Sequence, residues 1–198
     1  DQSGEGSLDN PFLTIQHGIN QSTTGDTVLI LEGNYFENIN VQGLQGDEFS
    51  LTITSEFILE GDSSKISSTI ISGIESGRIL RSDPTFELTI EGLTFQGGFS
   101  EFQNEDGLLI IDPQHFILKN SIIRNCHVNW GDGTAIWVQS VGVSLLIENT
   151  QILNSTYREG THGTVNIWAS EFADIDVKNS SFINNDAWTG SGLKIMGG

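Results

Sequence analysis

The stretch IDVKNSSFIN, Ile175 to Asn184, reads as two short apolar strands that join at an asparagine. It aligns without gaps to three earlier stretches: LTIEGLTFQG from Leu88, FILKNSIIRN from Phe116 and LLIENTQILN from Leu145. The fifth position, which we call the anchor, is occupied by Gly92, Asn120, Asn149 and Asn179. The anchor therefore recurs after 28, 29 and 30 residues. An internal repeat of this length is typical of a solenoid.

The positions around the anchor carry large apolar side chains in every repeat. They lie four residues before it (Leu88, Phe116, Leu145, Ile175), two before it (Ile90, Leu118, Ile147, Val177) and three after it (Phe95, Ile123, Ile152, Phe182). The alternation of a strand is thus interrupted at the anchor, which predicts a bend there. Glycine and asparagine are the residues that adopt a positive φ at little cost, so the anchor residues fit such a bend.

Stacked asparagines at one corner of successive repeats can bond to one another through their side-chain amides. We therefore predict a structural ladder at Gly92, Asn120, Asn149 and Asn179 that points inward. A further strand opened by glycine precedes each block, as in DGTAIWV at Asp132 and HGTVNIW at His162. Three short strands in about 29 residues describe one coil of a parallel β-helix. Its hand is expected to be right, as in most parallel connections.

The fold class predicted is therefore all-β, a right-handed single-stranded parallel β-helix with a short N-terminal capping helix. We expect one domain over 1–198: a cap with the helix over 1–25, irregular early coils over 26–85 and regular coils over 86–198. Asn10 is placed to cap the helix N-terminus, and Ile15 and Ile19 share one helical face. The strand-like end of the sequence suggests a fragment of, or building block in, something larger.

Charge limits the partners of this chain. It has 26 acidic and 8 basic side chains, a formal net charge of −18, and a single cysteine, Cys126. Such a surface repels phosphate backbones and anionic headgroups, so we expect no nucleic-acid partner. No apolar run reaches the roughly 20 residues of a membrane span, so we expect no direct membrane insertion.

The anchor motifs KNS, ENT and KNS resemble the asparagine ladder of the pectate-lyase-like superfamily of right-handed parallel β-helices. The opening NPFLTIQHGI…GDTVLILEGNYFENI is similar to the N-terminal region of many secreted bacterial β-helix proteins. FINNDAWTGSGLKI, from Phe182, and more loosely IIRNCHVNWGDGTAI, from Ile122, resemble the repeats of polymorphic outer-membrane proteins and related adhesins. The resemblance implies the fold and says little about activity, because this scaffold carries enzymes and adhesins alike.

Catalytic residues are not evident. Uronate-cleaving members of that superfamily use a basic side chain beside calcium-binding carboxylates, and here Lys194 is the one base on the glycine-opened strands. The hydrolase motifs of the superfamily have only weak matches in this sequence. We therefore name no catalytic residue, and we keep a polysaccharide lyase or glycoside hydrolase as an alternative.

Acidic side chains fall in the loop before the glycine strand on successive coils, and oxygen ligands from neighbouring coils could converge on calcium. The weak metal candidates are Asp106, Asp132, Glu159 and Asp186. Since dense D-x-D spacing does not occur, a solvated acidic face is the preferred interpretation. We thus expect no obligatory cofactor, with Ca²⁺ as the candidate ion.

Tryptophans mark the candidate binding surface. Trp130 and Trp188 lie in the same loops, and Trp137 and Trp168 lie on the following strands, at outward-pointing positions on adjacent coils. Exposed aromatic clusters bind sugar rings or proteins, although burial under the loops is an equal alternative. Asn20 and Asn154 are candidate N-glycosylation sites; a third sequon, at Asn179, would be blocked by an inward ladder.

The sequence therefore favours a non-enzymatic extracellular or cell-surface module of an adhesin, stalk or filament that engages glycans or other protein subunits. Besides the enzyme, the alternative is a self-assembling filament subunit that associates end to end.

Overall fold

The computed structural model describes residues 4–41, 49–74, 77–82, 86–100, 107–111, 113–130, 135–159, 163–187 and 192–197. Its 21 strands form three six-stranded sheets and one three-stranded sheet, and all strands within them pair in parallel. Consecutive strands of the chain lie in different sheets, while each strand pairs with its counterpart one repeat away. The predicted all-β parallel β-helix is confirmed.

Four sheets, named A to D here, make the walls of the coil. Sheet A contains β1 (Asp26–Ile30), β4 (Phe49–Ser55), β7 (Phe86–Glu91), β11 (His115–Lys119), β15 (Ser144–Glu148) and β19 (Asp174–Lys178). Sheet B contains β2 (Gly33–Phe36), β5 (Thr69–Ser72), β8 (Thr94–Gln96), β12 (Ile122–Arg124), β16 (Gln151–Leu153) and β20 (Ser181–Ile183). Sheet C contains β3 (Ile39–Val41), β6 (Leu80–Ser82), β10 (Leu108–Ile111), β14 (Ile136–Val141), β18 (Val165–Ala169) and β21 (Leu193–Gly197). The short sheet D contains β9 (Phe99–Ser100), β13 (His127–Trp130) and β17 (Thr156–Glu159).

The register of sheet A stacks the predicted apolar columns directly. Leu88 pairs with Phe116, which pairs with Leu145, and Leu145 pairs with Ile175. The inward side chains of the inner coils are buried and join into one core along the axis of the solenoid. Burial of each such side chain contributes about 1.5–3 kcal/mol, so each coil depends on the coils above and below it.

Positive φ angles occur at all four predicted anchor positions. The φ angles are 71° at Gly92, 49° at Asn120, 50° at Asn149 and 48° at Asn179. A second set of left-handed residues ends sheet B on the same four coils, at Gly97, Asn125, Asn154 and Asn184. Each regular coil therefore turns twice through a single left-handed residue, which short asparagine side chains tolerate.

The helix at the N-terminal end is α1 (Ile15–Gln21), and it buries Ile15 and Ile19 against the first coil. The prediction that Asn10 caps it is wrong, because the N-cap is Thr14, whose hydroxyl accepts from the His17 amide. The Glu37 carboxylate accepts the Ile15 and Gln16 amides at 2.9 and 3.0 Å. Glu37 follows strand β2 and is far from α1 in the sequence, so local sequence could not reveal this second cap.

The early coils differ from the later ones by an insertion between β4 and β5. It contains two short helices, α2 (Phe57–Glu60) and α3 (Ser64–Ser68). Lys65 holds α3 to the solenoid through Glu32 at 3.2 Å and Glu56 at 3.5 Å. The hydrogen bond with Glu32 raises the pKa of Lys65. The insertion lengthens this coil while leaving its strands in the same three sheets.

Candidate functional site

Two of the anchor asparagines, Asn120 and Asn149, make a hydrogen-bonded ladder at the corner between sheets A and B. Asn149 Nδ2 donates to Asn120 Oδ1 at 3.2 Å, and Asn120 Nδ2 donates to Glu91 Oε1 at 2.8 Å. Glu91 is itself paired with Lys119 at 3.0 Å. The Glu91 carboxylate therefore ends the ladder on the coil where Gly92 takes the place of asparagine.

The expected inward direction of this ladder is wrong. Asn149 and Asn179 are exposed, and the interior of the corner holds the residue after each anchor: Ser121, Thr150 and Ser180. Each of these hydroxyls donates to the carbonyl two residues earlier, at 2.8–3.0 Å. Those of Ser121 and Ser180 also accept an amide from the preceding coil, at 3.4 and 3.2 Å. A left-handed residue turns its own side chain outward, so the next side chain enters the corner. The Ser or Thr that follows every anchor asparagine was the available sequence signal for this hydroxyl column.

Two substitutions at Asn149 separate backbone from side-chain effects. We expect Asn149→Ala to lower the free energy of unfolding by about 2 kcal/mol, because alanine resists positive φ and the bond to Asn120 is lost. Asn149→Gly keeps the φ of 50° accessible and loses only the bond, so a loss of about 0.5–1 kcal/mol is expected. Urea denaturation followed by circular dichroism measures both. Equal losses would contradict a left-handed requirement at this corner.

Trp137 lies on the outer face of sheet C, and of the two alternatives for it, exposure and burial, the structure shows burial. Only 7% of its surface is accessible, and its Nε1 is buried without an acceptor among the described residues. Its register partner on β18 is Asn166, which is fully buried and bonded to the backbone amide and carbonyl of Gly163. Asn166 thus ties the chain at Gly163 to this outer face, and Trp137 is buried there outside the main hydrophobic core.

Trp168, in contrast to Trp137, is exposed, with 45% of its surface accessible. The register of β14 advances from Val138, opposite Ile167, to Val141, opposite Ala169, so a bulge lies beside Trp168. A cleft of about 440 Å³ opens there, with Trp168 in its wall. The other residues that line it are Val141, Gly142, Ala169, Ser170, Met196 and Gly197. A bulge cannot be read from alternation alone, so the sequence did not reveal the cleft.

Polar groups stand at one side of this mainly apolar cleft. Ser170 Oγ donates to the Gly142 carbonyl at 2.9 Å, and the Ser170 amide donates to the Val141 carbonyl at 3.0 Å. The hydroxyl oxygen of Ser170 thereby keeps acceptor capacity toward the cleft. Val143 and Phe172, in the turns that follow β14 and β18, are also exposed, so apolar surface extends past the cleft.

Other candidate residues do not join this cleft. Trp130 and Glu159 are described through their backbone alone, as paired ends of β13 and β17, and Trp188, Asp106 and Asp132 lie outside the described residues. Asp186 is exposed and its carbonyl accepts the Tyr157 amide at 2.8 Å. Within the described ranges, no three His, Cys, Asp or Glu side chains cluster as metal ligands. Calcium binding in the loops, the less favoured of the two alternatives, stays untested.

The two candidate glycosylation asparagines are both exposed. Asn20 lies in α1, where its Oδ1 accepts from Gln16 at 2.9 Å. Asn154 is a left-handed corner residue of sheet B with φ of 51°. Asn179 is also exposed, so an inward direction does not block a glycan at that third sequon. Glycosylation at Asn20 and Asn154 remains untested.

Comparison with known proteins agrees with this architecture. The family described as "Right handed beta helix region" matches residues 55–198. The chain belongs to the right-handed β-helix family. Membership gives the hand of the coil and supports the resemblance to pectate-lyase-like proteins, and it assigns no activity.

One curated relative is the uncharacterized protein YwoF of Bacillus subtilis, which is 27% identical over 135 residues. The match covers 66% of this chain and 28% of YwoF, so the chain spans less than a third of that relative. No solved structure matches the right-handed β-helix chain significantly. Among the described residues, no helix is long and apolar enough to cross a membrane.

Proposed function

We propose that this right-handed β-helix chain is a non-enzymatic, cell-surface or extracellular binding module that holds a glycan in the Trp168 cleft. The observation that carries the proposal is the half-exposed Trp168 indole in the wall of a 440 Å³ cleft. That volume falls within the range of small-ligand sites, about 300–1,000 Å³. The aliphatic faces of sugar rings stack on indoles, while hydroxyl groups need polar partners such as Ser170.

Charge narrows the class of glycan. With a net charge of −18, the chain repels polyanions at long range. None of the described residues that line the cleft is cationic, so the cleft offers no counter-charge to a carboxylate or sulfate. A neutral glycan is therefore the ligand that the cleft suits best.

Glycan binding is tested with Trp168→Ala on an array of neutral and acidic glycans. We expect the unmodified chain to bind neutral glycans, and Trp168→Ala to weaken binding about tenfold, since a stacked aromatic ring contributes about 0.5–1.5 kcal/mol beyond its buried area. Phe36→Ala is the matched control, because Phe36 is an exposed aromatic on β2, in a different sheet at the other end of the solenoid. Equal binding by all three proteins would refute the cleft as the glycan site.

A further inference from the structure

A histidine and a glutamate face each other on the outer surface of sheet A, on inner coils of the solenoid. Glu87 on β7 and His115 on β11 are register partners, and the residues that follow them, Leu88 and Phe116, are buried in the core. Alternation along each strand therefore turns Glu87 and His115 outward. His115 Nε2 lies 3.6 Å from Glu87 Oε1, and the two side chains are 38% and 56% accessible. These two residues, which we call the His–Glu pair, are thus open to solvent.

The other ring nitrogen of His115 is held by the next coil. Ser144 on β15 is the register partner of His115, and its Oγ lies 2.8 Å from His115 Nδ1. The 3.6 Å between Nε2 and Glu87 is too long for a hydrogen bond, so the proton of a neutral imidazole is better placed on Nδ1, which donates it to Ser144. Nε2 then turns a lone pair toward the Glu87 carboxylate. Two Lewis bases consequently face each other across a short gap.

The width of this gap suits a zinc ion. Zinc lies about 2.0–2.1 Å from a histidine nitrogen and about 2.0–2.2 Å from a carboxylate oxygen, so two such ligands in a tetrahedral arrangement are about 3.3–3.5 Å apart. The observed separation of 3.6 Å is close to that value. A metal-bound histidine usually donates its second ring N–H to a fixed neighbour, and Ser144 is in that position. Paired strands hold all three residues, so the site is largely formed before an ion binds.

Charge and ligand type select the ion. The net charge of −18 attracts cations to the surface of the chain. Calcium and magnesium prefer oxygen ligands throughout, whereas an imidazole ligand favours zinc and related transition metals. Within the described ranges no third His, Cys, Asp or Glu side chain joins the pair. Water therefore occupies the remaining coordination positions of the ion.

We propose that the His–Glu pair binds one Zn²⁺ ion on the outer face of sheet A, and that Ser144 orients the imidazole. The two ligands come from successive coils, so the ion links β7 to β11 and binds the folded chain in preference to the unfolded one. These residues are distinct from the loop carboxylates considered for calcium. The proposal is independent of glycan binding, because the Trp168 cleft lies on sheet C.

Isothermal titration calorimetry with zinc chloride tests the site in the 198-residue chain. The pH is mildly alkaline, so that imidazoles are neutral, and about 0.15 M salt screens diffuse attraction to the acidic surface. We expect one saturable equivalent of Zn²⁺. Ser144→Ala should weaken the Kd about tenfold, as loss of the partner of a metal-bound histidine does. His115→Gln and Glu87→Gln each remove a ligand and should weaken the Kd further.

His127→Gln is the matched control, because both ring nitrogens of His127 are already bonded, Nδ1 to Thr156 and Nε2 to Asn129. It should bind Zn²⁺ as the parent chain does, and circular dichroism checks that every variant is folded.

Thermal unfolding gives a second measurement. Zinc should raise the unfolding midpoint of the parent and of His127→Gln and leave that of His115→Gln unchanged, since an ion that binds the folded chain stabilises it. The absence of saturable zinc binding would show that the His–Glu pair is an ion pair only. Undiminished binding by His115→Gln, Glu87→Gln or Ser144→Ala, or an equal rise of the midpoint with calcium chloride, would also overturn the proposal.

Discussion

Phe95→Ala is expected to lower the free energy of unfolding by about 3–5 kcal/mol, the range for removing a fully buried phenylalanine. Phe95 is completely buried and lies in the sheet B column between Ile71 and Ile123. The coils on both sides hold the column at the spacing of paired strands, so they cannot collapse into the space that the ring leaves. A loss of this size is a large fraction of the stability of a typical domain.

Urea denaturation of Phe95→Ala and the parent chain measures this loss. Phe36→Ala is the matched control, since Phe36 also lies in sheet B but is 68% exposed and points outward. It should change stability by less than about 0.5 kcal/mol, as surface substitutions usually do. Similar losses in the two variants would show that the inward columns do not carry the stability of the coil.

Gly92→Asn is expected to destabilise the chain by about 1–3 kcal/mol, the cost of inserting atoms into a packed site. Asparagine occupies the other three anchors and tolerates the φ of 71°, so the sequence alone predicts no loss of stability from this change. The structure shows the opposite. A Cβ at position 92 would lie 2.9 Å from both Phe57 Cβ and Ser55 Oγ, which the inserted helix α2 and strand β4 hold in place.

Gly97→Asn is the control for Gly92→Asn. Gly97 has nearly the same φ, 72°, and a Cβ there would meet nothing within 4 Å. Its stability should change by less than about 0.5 kcal/mol, because asparagine tolerates the conformation and the loss of chain entropy on folding is smaller. Thermal unfolding of the two variants, measured side by side, tests this difference in stability. A harmless Gly92→Asn, or a harmful Gly97→Asn, would contradict the steric explanation.

Much of the fold was predictable because the repeat imposes the same local demands on every coil. Columns such as Ile90, Leu118 and Ile147 identify the inward face, and an anchor of glycine or asparagine identifies a left-handed corner. Local periodicity is sufficient for these features, since neighbouring coils repeat the same contacts. The Ser or Thr after each anchor asparagine is a local signal of the same kind for the corner interior.

The candidate site was much less predictable. Alternation placed both Trp137 and Trp168 on the outer face of sheet C, yet one is buried and the other borders a cleft. The difference depends on a bulge in β14 and on the packing of Gly163 against Asn166, which no periodicity encodes. Contacts between residues on different strands and turns decide exposure, whereas a pattern along one strand decides only direction.

The sequence by itself determined the coil, its apolar interior and its left-handed corners, because these follow from residue type and spacing within one repeat. Tertiary structure alone decided which of Trp137 and Trp168 reaches solvent, why glycine is required at position 92 and how the first coil is covered. Those features depend on residues far apart in the chain, such as Gln16 with Asn40 and Phe57 with Gly92, whose proximity exists only after the coils have stacked.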